Sequence, residues 1–396
     1  MLSAVLCLSA CSDDSDTIKG SGNPISEGEE ARRMLFMYIV ADNNLSSFAQ
    51  DDLSEVLAVA DKIPNDCYLL AFVDDNNDPR VLRYFNNNGE GDYETVYNFG
   101  REFSACDTTD MRVLFDWVEE NYPAQSVDMI FWSHATGWLR DDDYRSVQQY
   151  SFGYDIYVGN NSECSRMYIE ELAAFIETMP VKPDRIMFDA CFMQSVEVAY
   201  AMRKSANWII ASPAEIPAPG APYDVLVPLF FNDVATPQDI IYAYKQAYEG
   251  TSTGVVLSAV KCDAMQQLAD ATAVVVKNAF EGVSGSDCGD VFSYLPGGYF
   301  YGKNAFPNFF DMNSVMLKYL SADDYIAWKA ALDVALPYSC ASKYWYTDVK
   351  GKVIDVDDSW SGISMYLPNT GSYFDKFNTS FSSLEWYAAA GWNEIE

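Results

Sequence analysis

The stretch Arg185-Ile186-Met187-Phe188-Asp189-Ala190-Cys191-Phe192-Met193 runs a short apolar strand into an acid and a cysteine just before a helical pattern at Val196 to Lys204. Its apolar core lacks the two-fold alternation of a half-exposed strand, which suits a strand covered on both faces. The same pattern recurs at Met34 to Val40, Tyr68 to Val73, Val127 to Trp132 and Trp208 to Ala211. Between these runs, Met111 to Glu120, Tyr168 to Met179 and Pro237 to Tyr248 place apolar residues at three- and four-residue spacing, and Thr236-Pro237 is a helix-start signal. Strand alternating with helix predicts an α/β domain with a mostly parallel sheet flanked by helices.

Further strands are expected at Gly254 to Val260 and Ile363 to Leu367, with helices at Cys262 to Phe280 and near Ser321 to Leu336. A Gly, Ser and Asp cluster from Gly282 to Asp290 is a soft boundary, so residues 34–281 are read as the main domain and 282–396 as an aromatic-rich C-terminal subdomain. The chain of 396 residues, 49% hydrophobic and 15% aromatic, can build a substantial core. Its net charge of −33, without a basic run, argues against nucleic acid as a partner; such a surface would draw cationic peptides and divalent cations, while for most of the carboxylates the charge serves to keep the protein in solution.

The N-terminus reads as a leader. Met1 to Ala10 is apolar and ends Leu8-Ser9-Ala10-Cys11, and Ser12-Asp13-Asp14-Ser15-Asp16 follows at once. This looks like a bacterial lipoprotein signal: residues 1–10 are removed, Cys11 carries the lipid, and 11–33 form a flexible tether. That places the protein in the cell envelope as an outer-membrane lipoprotein, on its surface or periplasmic face, with the lipid as its only membrane contact. Six further cysteines (Cys67, Cys106, Cys164, Cys262, Cys288 and Cys340) have no spacing that selects disulfide partners, and a single histidine rules out a histidine-rich zinc site.

In open parallel sheets, functional groups gather at the carboxyl ends of strands. Ile130-Phe131-Trp132-Ser133-His134-Ala135-Thr136-Gly137-Trp138 delivers the only histidine from such an end, and Asp189 and Cys191 leave another. A thiol at a helix N-terminus with an imidazole nearby is the minimum for acyl transfer, and the backbone N–H groups of Ala135 and Cys191 are the candidate oxyanion donors. In isolation, a buried core cysteine and a structural turn histidine would explain the same residues.

Taken together, these elements resemble the clostripain-like cysteine peptidases, which share the caspase and gingipain type of fold. The matching pieces are Ala41-Asp42-Asn43-Asn44-Leu45, Ser133-His134-Ala135-Thr136-Gly137-Trp138, Asp189-Ala190-Cys191-Phe192-Met193 with Glu197 and Ala199-Tyr200, Ala211-Ser212-Pro213-Ala214-Glu215, and Ser361-Gly362-Ile363-Ser364-Met365-Tyr366-Leu367-Pro368. The resemblance implies an endopeptidase acting on proteins or peptides after Arg or Lys, with Cys191 as nucleophile and His134 as general base. Asp189 and Glu215 would bind the substrate, since a carboxylate can pair bidentately with Arg. No cofactor is required on this reading, although some members use Ca²⁺, which Arg140-Asp141-Asp142-Asp143-Tyr144-Arg145 could also hold. Maturation cleavage after Arg140 or Arg145 is implied as well. Members usually carry Gly where this chain has Ala135, a change that matters if the position needs positive φ. Ala135, and the altered segment from Ser212 to Tyr223, motivate a competing reading: a catalytically silent surface lipoprotein of the same fold that binds peptide or glycan. A Cys-His acyl transferase or amidase on the same scaffold ranks below both.

Overall fold

The computed structural model describes residues 24–100, 103–140, 151–156, 164–295, 299–300, 303–304, 309–343, 359–372 and 374–395. Residues 1–23 with Cys11, Asp141 to Arg145 and the side chain of Cys164 lie outside them.

Fifteen strands are described: β1 (Arg33–Val40), β2 (Cys67–Asp74), β3 (Arg80–Asn87), β4 (Glu90–Asn98), β5 (Val127–Trp132), β6 (Phe152–Ile156), β7 (Cys164–Met167), β8 (Arg185–Asp189), β9 (Trp208–Ala211), β10 (Val256–Lys261), β11 (Tyr299–Phe300), β12 (Lys303–Asn304), β13 (Phe310–Asp311), β14 (Tyr338–Ala341) and β15 (Ser364–Met365). The helices are α1 (Ser46–Ala58), α2 (Thr108–Asn121), α3 (Ile169–Ile176), α4 (Val196–Ala201), α5 (Tyr223–Phe230), α6 (Pro237–Ala247), α7 (Met265–Phe280), α8 (Met312–Tyr319), α9 (Ala322–Ala335), α10 (Asp375–Ser382) and α11 (Glu385–Ala389).

Nine strands form one sheet in the order β14-β10-β9-β8-β5-β1-β2-β3-β4. Its centre, from β9 to β2, is parallel, and antiparallel strands close both margins. The continuous apolar runs are explained by burial on two faces. In β1, Phe36 and Tyr38 enter one core with α2, α3, α4 and α7, while Leu35, Met37 and Ile39 enter a second core with α1, α5 and α6. After β1 the chain moves outward to β2, then returns to the other side of β1 with β5, β8 and β9. Order therefore reverses between β1 and β5, which is where open α/β sheets hold their crevice.

Two boundaries differ from the sequence expectation. The stretch 25–32 is tied to the sheet end rather than free: Ile25 N donates to Asn65 O at 2.7 Å, Gly28 N to Asn121 O at 2.8 Å, and Ala31 N to Pro123 O at 2.8 Å. Backbone pairing anchors a segment whose composition offers few apolar side chains. The boundary near 282 divides the chain but not the core, because β14 pairs with β10, and Trp328, Trp386 and Trp392 share a core with α4 and α7. Cys67, Cys106, Cys191, Cys262, Cys288 and Cys340 are free thiols. Among the described residues no helix is long and apolar enough to cross a membrane.

Candidate active site

Register aligns the two strands that lead into His134 and Cys191. Trp132 of β5 is paired with Asp189 of β8, so His134 and Cys191 each follow a matched position by two residues at the same edge of the sheet. Beyond β5 the chain bridges to β6, where Gly153 N donates to His134 O at 3.0 Å and Thr136 N to Ser151 O at 3.4 Å. Those bonds come from the neighbours of Ala135, so the Ala135 N–H is left out of the ladder, as an oxyanion donor must be. Ala135 is also not among the described residues with positive φ, so the absence of Gly here imposes no backbone strain.

The His134 ring is partly buried, and its Nε2 lies 2.7 Å from Asn44 Oδ1, at the end of β1. Burial pushes the imidazole down to about 4, so it is neutral at physiological pH and able to accept a proton.

Cys191 does not sit at a helix N-terminus as the sequence suggested. A turn intervenes before α4: Phe192 has φ +61°, its N–H donates to Ala214 O at 3.0 Å, and Gln194 N donates to Ser212 O at 2.9 Å. The N-cap of α4 is Ser195, whose side chain accepts from Val198 N at 3.2 Å. Without a helix end beside it, the thiol is pushed up to about 12, first by burial and then by the Glu215 charge, against the Ile216 N–H that bonds Sγ at 3.3 Å. The resting pair is therefore a neutral thiol and a neutral imidazole.

Two residues before Cys191, Asp189 is buried, and its oxygens accept from Ala221 N at 2.9 Å, Tyr223 OH at 2.9 Å and Tyr244 OH at 3.2 Å. Asp52 of α1, which sequence reading missed, faces the same point: a methyl group at Gly220 would stand 2.9 Å from Asp189 Oδ2 and 3.4 Å from Asp52 Oδ2. Trp132 Nε1 donates to Asp52 at 2.7 Å. Burial and then the Asp189 charge raise the Asp52 carboxyl to about 9. An acid on the apolar face of a helix pattern is the signal that could have revealed it. Glu215 is buried on the segment that also carries Ile216.

Arg140 pairs with Glu170 at 2.9 Å and lies over the Tyr168 ring, 5.1 Å from its centroid. Arg145, the acidic run beside it and Cys11 lie outside the described residues. Among those described, no three His, Cys, Asp or Glu residues group as metal ligands would.

A family model described as the clostripain family matches residues 37–396. Two solved structures are similar over 91% of this chain and 99% of theirs: an inactive zymogen C11 protease from Parabacteroides distasonis (25% identity, TM-score 0.77), and a secreted C11 cysteine protease from Bacteroides thetaiotaomicron in complex with an irreversible peptide inhibitor (29% identity, TM-score 0.76). Clostripain from Hathewaya histolytica is 25% identical over 215 residues, which is 48% of this chain and only 40% of that relative's length. The chain belongs to the clostripain family.

Proposed function

We propose that the protein is a cysteine endopeptidase that cleaves after Arg or Lys. The observation that supports this reading is the matched register of β5 and β8, whose adjacent strand ends lead into His134 and Cys191 two residues further on. In this mechanism the neutral imidazole takes the Cys191 proton as the thiolate attacks the scissile carbonyl carbon. Negative charge moves to the carbonyl oxygen and is met by the Ala135 and Cys191 N–H groups. The leaving amine takes the proton from the imidazolium, and a water that gives its proton back to His134 then cleaves the thioester.

Preference for a basic residue is supported by the Glu215 and Asp189 carboxylates, whose charges act on Cys191, and by the net charge of −33. An entering guanidinium would replace the tyrosine hydroxyls as donor to Asp189. The same proposal places the protein in the envelope, lipidated at Cys11 and matured after Arg140 or Arg145, with Ca²⁺ as an optional addition. Fluorogenic peptides ending in Arg, Lys, Asp or Leu, assayed with and without Ca²⁺ on the wild type and Cys191→Ala, test it. Turnover confined to Arg and Lys and lost in the variant is expected. No turnover of any peptide would favour the silent binding protein.

A further inference from the structure

Asn44 follows β1, the strand next to β5, and its side-chain oxygen meets the only histidine of the chain at 2.7 Å. An asparagine just ahead of a helix usually serves as its cap. Here it does not: the N-cap of α1 is Leu45, and that cap makes no side-chain hydrogen bond. Burial does not explain the bond either, because Asn44 is an exposed residue whose amide has water as an alternative partner.

The neighbour Asn43, which is buried, does the structural work. Its Oδ1 accepts from Leu45 N at 2.8 Å, and its Nδ2 donates to Val40 O at 3.3 Å and to Tyr154 O at 2.5 Å. Tyr154 is on β6, the strand that also holds the His134 carbonyl through Gly153, and its ring centroid lies 6.2 Å from that of His134. Asn43 thus ties the loop to the strand that bonds the His134 backbone. Asn44 is presented to the ring from that fixed base.

We propose that Asn44 is a positioning residue that accepts the Nε2–H of His134 and so holds the tautomer whose Nδ1 takes the Cys191 proton. An amide oxygen can only accept, and a neutral imidazole has one donor and one acceptor nitrogen, so a proton on Nε2 leaves Nδ1 as the base. Once Nδ1 is protonated, the Nε2–H bond to Asn44 becomes charge-assisted, favouring the charged intermediate over the resting state. This inference rests on the peptidase reading for its catalytic meaning, whereas the tautomer itself can be read without turnover.

The test is a nitrogen-15 spectrum of the histidine in the full chain, free of overlap because there is one histidine, joined to pH profiles of peptide cleavage. The wild type is expected to show the Nε2–H tautomer at neutral pH. Asn44→Ala should show a mixture and lose roughly 10- to 100-fold in kcat with KM little changed. Asn44→Asp keeps the acceptor and adds a negative charge. It should restore the tautomer and move the acid limb of kcat/KM upward by about one pH unit or more, a shift that a purely structural residue would not produce. Burial lowers the ring's pKa in the wild type, and the new carboxylate would oppose that shift. An Nδ1–H tautomer in the wild type, or an Asn44→Ala protein with the wild-type spectrum and rates, would overturn the assignment. A chain inactive on every peptide would refute the peptidase reading instead, while the spectrum would still decide the role of Asn44.

Discussion

Gly137 and Phe192 meet backbone to backbone: a Cβ on Gly137 would lie 2.7 Å from the Phe192 carbonyl oxygen, and both residues have positive φ, +71° and +61°. The first lies three residues after His134 and the second directly follows Cys191, so this contact sets how closely the loops that carry His134 and Cys191 approach. Phe192 tolerates its left-handed backbone because its N–H is bonded to Ala214 and its ring stacks on Phe309, centroids 4.6 Å apart. Gly137→Ala should therefore lower the melting temperature, with strain of about 1–3 kcal/mol, and reduce kcat/KM by tenfold or more. Melts and peptide assays on the same sample check this, and wild-type values in both would refute the contact's role.

Asp52 makes stability depend on pH in a defined direction. Its folded-state pKa of about 9 stands above the ordinary 3.8, so the folded chain holds a proton that the unfolded chain releases. Stability present at pH 4 is lost as pH rises toward 9. Asp52→Asn removes that proton uptake and keeps an acceptor for Trp132. The variant should melt close to the wild type near pH 4 and above it at pH 8, by about 2–4 °C per kcal/mol relieved. Parallel curves across the range would contradict the assignment.

Asp189 should govern the choice of substrate. Replacing it with Asn removes the charge and leaves one acceptor oxygen, which can keep Ala221 N and Tyr223 OH as donors while Tyr244 OH must turn to accept from the amide NH2, so cleavage after Arg should fall by about 100-fold, the size of one lost buried charge pair. Cleavage after neutral residues should change little. Equal losses on all peptides would show that Asp189 supports the loop and not the substrate.

Ala135→Gly tests the oxyanion position from the other side. Ala135 has no positive φ to relieve and its N–H already stands outside the β6 ladder. The glycine should leave kcat/KM within about threefold and destabilise by about 0.5–1 kcal/mol through backbone entropy. A large gain in rate would mean that alanine distorts the site.

Much of this architecture is legible in the sequence, because doubly covered strands such as Met34 to Val40 and capped helices such as that beginning at Thr236-Pro237 declare themselves locally. The hairpin of β3 and β4 is harder to see, since β4 is largely polar and exposed, yet Asn88-Gly89 with φ +54° and +97° is the turn signal that joins them. The environment of the thiol is not legible at all. Whether Cys191 touches a helix end depends on the turn that Ala214 and Ser212 impose on Phe192 and Gln194, a contact between segments distant in sequence. Asp52 and Asn44 are hidden for the same reason: each acts across the sheet edge on a residue of another strand.

The central claim is that Cys191, activated by His134, attacks a peptide carbonyl after a basic residue. Its most direct test is intact-mass and peptide-mapping analysis after exposure to irreversible peptidyl inhibitors ending in Arg, Lys, Asp or Leu, in the wild type and in His134→Ala. One adduct, on Cys191, formed fastest with Arg or Lys and much slower without His134, is the expected result. No adduct, or labelling that falls instead on Cys67, Cys106, Cys262, Cys288 or Cys340, would contradict it.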